Sequence, residues 1–88
     1  MLAKKRFLLT SDREQFDVTL ELHQSGAFQY GNQHCILLRY NNKKFEPHLF
    51  DARYDPRFNT VEGFNQNALE FLKQWSDPSF TVQEIEEE

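Results

Sequence analysis

From Val61 to Trp75 the apolar residues recur at spacings of three and four: Val61, Phe64, Ala68, Phe71, Leu72 and Trp75, with Leu69 beside them. On a helix these positions form one stripe, and Glu62, Gln66, Asn67, Glu70, Lys73 and Gln74 fall on the wet side. Asn59, with Glu62 three residues on, suits a capping box. Asp77-Pro78 supplies the stop, because proline disfavours helical backbone in the residue before it. The outer surface offers little charge pairing, so tertiary packing must hold this helix. No other stretch shows the helical period. A single amphipathic helix has no second helix to lie on, so its partner has to be the apolar face of a sheet.

The rest of the chain supplies that sheet. Phe16, Val18, Leu20 and Leu22 alternate with Asp17, Thr19, Glu21 and His23, the pattern of a strand with one buried face and one wet face. Phe7 to Thr10 reads as an earlier strand joined to it by a short polar turn. Ala27 to Tyr30 reads as a possible short strand between the turn signals Ser25-Gly26 and Gly31-Asn32. His34 to Tyr40 is a firmer strand, and Asn41 to Lys44 a hairpin turn. The returning strand is expected from about Phe45 to Tyr54, with Pro47 forcing an edge or a bulge. Phe80 to Val82 adds a last short strand. The fold class is therefore α+β: an antiparallel β-meander of about four to five strands with one C-terminal amphipathic helix packed on one face. The 88 residues make one small domain, and residues 83–88 are expected as a frayed acidic tail. In the core, Phe16, Leu20, Ile36, Leu38, Phe50 and Tyr54 would meet Phe64, Phe71 and Trp75.

Composition narrows the function classes. A mean hydropathy of −0.76 is very polar, yet 15% of residues are aromatic, and large rings can build a core in a polar chain. The net charge of −4 argues against nucleic acid as a partner, since phosphates demand a basic face. No run approaches the roughly 20 apolar residues of a membrane span. No secretory leader is evident after Lys4, Lys5 and Arg6. Cys35 is the only cysteine, which points to a reducing, cytoplasmic setting.

Several residue groups invite chemistry. Asp51, Arg53, Asp55 and Arg57 stand at every second position; on extended backbone they would form one charged ledge, with two guanidinium forks for a carboxylate, phosphate or peptide. A solvated strand edge is the plainer account of them. His23, His34 and His48 fall on three different strands without the paired spacings of a zinc site, so no metal is expected. His34 is badly placed to act as a base for Cys35, because adjacent strand residues point to opposite faces. The three glycines lie far apart and form no phosphate loop, and no cofactor is implied. The glutamates that close the chain could dock a basic partner, but such runs are usually solvated termini.

No catalytic motif is present, so a non-enzymatic protein-interaction or regulatory module is the expectation. One helix covers one sheet face and leaves the other to solvent or a partner. That open face should carry Asp17, Glu21, His23, Leu37, Arg39, Leu49, Asp51 and Arg53. Leu37 and Leu49 would be its apolar centre, with Arg39, Asp51, Arg53, Asp55 and Arg57 in the surrounding rim. The partner is an unidentified protein or a second copy, which would make a homodimer. Two alternatives remain: a single-stranded nucleic-acid platform built on Phe28, Tyr30, Tyr40 and Phe45 with Arg39, Lys43, Lys44 and Arg53, and a metal-dependent hydrolase on His23, His48 and Asp51.

Overall fold

The computed structural model describes residues 1–24, 34–42 and 45–86. It contains five strands, β1 (Ala3–Thr10), β2 (Gln15–Gln24), β3 (His34–Tyr40), β4 (His48–Asp51) and β5 (Thr81–Ile85), and one α-helix, α1 (Val61–Trp75). The strands form one antiparallel sheet in the order β4-β3-β2-β1-β5. The first four make a meander, and α1 then carries the chain back so that β5 pairs with β1. The α+β class, the antiparallel sheet and the single helix agree with the sequence pattern. Among the described residues no helix is long and apolar enough to cross a membrane.

The register sorts the side chains. Phe7 stands opposite Val18, Val18 opposite Tyr40, Leu20 opposite Leu38, and Leu22 opposite Ile36, so these share a face. That face is the core: Phe7, Leu9, Val18, Leu20, Leu22, Ile36 and Leu38 are buried with Phe64, Ala68 and Leu72 of α1. Phe16, Phe50, Leu69 and Phe71 pack at its margin. The helix stripe is narrower than its spacing predicts, since Val61 and Trp75 at its two ends are exposed. Tyr54, expected in the core, is 86% exposed. β4 stops at Asp51, so Tyr54 is no longer on the sheet.

Two core residues, Ala52 and Phe58, follow the end of β4, and Phe58 comes from where no element was expected. Asp55-Pro56 starts a short 3-10 helix, Pro56–Phe58, in which the Asp55 carboxylate accepts the Arg57 backbone N–H. This turn buries Phe58 against Phe64 and Phe71. Ala52 is buried beside it. The helix cap also lies one residue later than the capping-box pattern indicates. Thr60 is the N-cap, its hydroxyl accepting the Gly63 N–H at 3.0 Å. A Cβ at Gly63 would sit 2.3 Å from the Arg57 carbonyl oxygen, so glycine lets the helix start pack directly against the 3-10 turn.

The chain's ends are more ordered into the sheet than their composition suggests. Lys4, Lys5 and Arg6 belong to β1. Gln83, Glu84 and Ile85, expected in a frayed tail, continue β5 opposite Leu8, Phe7 and Arg6. Charge is the local reason: Lys5 Nζ reaches Glu84 Oε1 at 3.1 Å, and Arg6 reaches Asp17. The segment 27–30, read as a possible strand, lies outside the described residues.

Candidate functional site

The face away from α1 is built by the other parity. Its rows run across the strands: Glu21, Leu37 and Leu49 stand side by side, as do Arg6, Thr19 and Arg39, and beyond them Cys35 and Asp51. Leu37 is half-buried and Leu49 is 67% exposed. Thus two leucines on β3 and β4 form an apolar pair at one side of the face, bordered by polar rows.

Three carboxylates around this pair, Asp17, Glu21 and Asp51, each hold an arginine. Arg6 Nε donates to Asp17 Oδ1 at 2.8 Å, and Asn41 Nδ2 donates to the same oxygen at 2.7 Å. Arg6 holds the Asp17 carboxyl below its ordinary range, against a smaller upward push from burial and with help from Asn41. Thr19 Oγ1 donates to Asn41 Oδ1 at 3.0 Å, which extends the network across the face. Glu21 Oε1 takes Arg39 Nε at 3.1 Å and His23 Nε2 at 2.8 Å. Burial pushes Glu21 upward, but its bonds to His23 and Arg39 outweigh that and lower it overall. Asp51 accepts Arg53 Nε through both carboxylate oxygens, at 2.9 and 2.8 Å, and these bonds lower its carboxyl.

The ledge Asp51, Arg53, Asp55 and Arg57 does not form as extended backbone would have it. Only Asp51 lies on a strand, Asp55 caps the 3-10 turn and Arg57 lies within it. Each arginine folds back on the carboxylate two residues before it. Arg57 Nη2 meets Asp55 Oδ2 at 2.7 Å, and its guanidinium lies 5.1 Å from the Phe58 ring centre. Arg57 lowers the Asp55 carboxyl in return. Two internal ion pairs therefore stand where two outward forks were expected. The same i, i+2 spacing that suggested a ledge is also the spacing of an Asx-type turn, which Asp before a proline favours.

The histidines part company. His23 belongs to the open face, while His48 stands opposite Leu38 on the helix side, packed between Tyr40, Phe50 and Trp75. His34 shares the helix side and is buried, its Nδ1 without a hydrogen-bond partner among the described residues. Cys35 is 6% exposed, and burial, then Asp51, raise its thiol. A buried protonated thiol is a poor nucleophile. Among the described residues no three His, Cys, Asp or Glu side chains come together as a metal would need. Tyr40 and Phe45 pack with Phe16 on the side away from Arg39. Phe28, Tyr30, Lys43 and Lys44 lie outside the described residues.

Sequence reasoning missed a second feature, at the C-terminal end of α1. Phe16, Tyr40, Trp75 and Phe80, with Leu9 beneath, line a cleft of about 230 Å³ whose rim carries Asp77. Strand and helix spacing puts Phe16 and Trp75 in the core, and only Trp75's place on the last helical turn hints at an outlet. Compared with known protein families, with characterised proteins and with solved structures, the chain shows no match.

Proposed function

We propose that this chain is a non-enzymatic interaction module that pairs with a second copy of itself through the sheet face opposite α1. The observation that carries the reading is the contrast between that face and the whole. The chain bears a net charge of −4. On the face, however, Asp17, Glu21 and Asp51 are each neutralised by Arg6, Arg39 and Arg53. A second copy can approach there without like-charge repulsion. The Leu37–Leu49 pair offers the apolar centre, and the ring of paired charges offers a rim, as protein interfaces do. Rims carrying both signs are self-complementary under a two-fold axis.

Size sets the strength. A sheet of five strands spaced ~4.8 Å apart and about seven residues long at ~3.3 Å per residue presents on the order of 500 Å². That falls short of the ~800 Å² per partner of a standard stable interface, which implies a weak, concentration-dependent dimer. A reducing cytoplasmic setting suits the buried free thiol of Cys35. The single-strand platform draws less support, because Tyr40 and Phe45 lie on the side away from Arg39, and Arg39 and Arg53 are bonded to carboxylates.

Sedimentation velocity over a micromolar-to-millimolar series tests this. The sedimentation coefficient should rise with concentration, and Leu49→Asp and Leu37→Asp should hold it at the monomer value while the circular dichroism stays unchanged. A wild-type protein that stays monomeric throughout sinks the reading. Loss of structure in Leu37→Asp alone would mean that Leu37 is core, and Leu49→Asp, at a position already open to water, would then decide.

A further inference from the structure

The cleft at the end of α1 lies on the opposite side of the sheet from the proposed pairing face and calls for a different ligand. We propose that it binds a methylated ammonium group. Four aromatic rings line it: Phe16 packs against Tyr40 at 5.9 Å and 75° and against Phe80 at 5.7 Å and 44°. Trp75, 38% exposed, is held by His48 at 5.5 Å and Phe50 at 5.9 Å and forms the outer wall.

The lining selects among ligands. Asp77 stands at the rim, its carboxyl lowered by the backbone and side chain of Ser79, so it is charged at neutral pH. A purely apolar guest would leave that charge unused, and an anion would be repelled by both the carboxylate and the ring faces. A bare ammonium would have to give up its water to rings that cannot replace those hydrogen bonds. A methylated ammonium presents an apolar shell to Leu9 and the rings, a diffuse positive charge to their π faces and a net charge to Asp77. Lys73 borders the neighbouring hollow on the other side of Asp77 and does not line this cleft. At about 230 Å³ the space is smaller than the ~300–1,000 Å³ of drug-sized sites, so it takes a head group and no more.

Trp75 is the only tryptophan, so its indole N–H resonance is a unique reporter for an NMR titration of the whole chain. Choline should shift it saturably. Its uncharged carbon isostere, 3,3-dimethyl-1-butanol, should bind about five- to thirtyfold more weakly, the range expected for losing a cation–π contact. Asp77→Asn can still accept the Ser79 N–H, and should weaken choline about two- to fivefold without changing the isostere. Equal binding of choline and the isostere would reduce the cleft to a greasy hollow and overturn the proposal, as would the absence of any choline shift beyond that of sodium chloride. Acetylated trimethyllysine amide and phosphocholine separate the two sources of such a group: tighter binding of the first assigns a modified lysine side chain, and of the second a lipid head group.

Discussion

Gly63 shows how one atom can govern a junction. Alanine is about 1 kcal/mol better than glycine inside a helix, so by propensity alone Gly63→Ala would stabilise the chain. Its added Cβ, however, would lie 2.3 Å from the Arg57 carbonyl oxygen, and backbone cannot swing aside as a flexible side chain can. Overpacking of this kind costs about 1–3 kcal/mol, so the clash should win and the urea midpoint should fall. A raised midpoint would mean that the 3-10 turn and the helix start are free to separate. The glycine was visible in the sequence as a blemish in a helical pattern. Its reason was not, because the contact is made with a turn that only Asp55 and Pro56 announce.

At the level of elements, the two periods were legible and their ends were not. Strand alternation gave β2 and β3 their faces, and the three-four spacing gave α1 its stripe, because burial on one side is what selects such patterns. The charged run of Lys4 to Arg6 hid the start of β1, since nothing local says that Glu84 and Asp17 will come within reach of Lys5 and Arg6. The open-face positions of Leu37, Arg39, Leu49 and Asp51 follow from the same parity. Asp55 and Arg57 do not, because strand geometry was carried past the point where β4 ends. The helix start offers a sharp comparison. Thr60→Ala removes the hydroxyl that accepts the Gly63 N–H and should cost about 1 kcal/mol in thermal or urea unfolding. Asn59→Ala, at the position the capping-box spacing favours, should change stability by less than about 0.5 kcal/mol. Equal losses at both positions would place the cap at neither alone.

For the whole molecule, the matched charges set the response to acid. Asp17, Glu21, Asp51 and Asp55 are all lowered in the folded chain. A depressed carboxyl binds its proton less readily when folded than when unfolded. The stability it contributes is therefore complete above the unfolded value near pH 4 and is lost as pH falls through the folded value. Stability should be level in this respect from neutrality down to about pH 5 and should decline below about pH 4. Asp17→Asn should lower stability at neutral pH and flatten that decline, measured as urea midpoints from neutral to acid. An unaltered acid limb in Asp17→Asn would show that Arg6 gains nothing from the pairing.

The placement of β5 has a consequence for how the chain is made. β1 lies between β2 and β5, and its second neighbour is reached only after the chain has passed through α1. Until Thr81–Ile85 clears the ribosome, the nascent protein carries β1 with one side unzipped, next to a hydrophobic layer that has already begun to gather. Such an open margin recruits foreign strands. Translation must therefore run through Thr81–Ile85 before the sheet can close on its own terms.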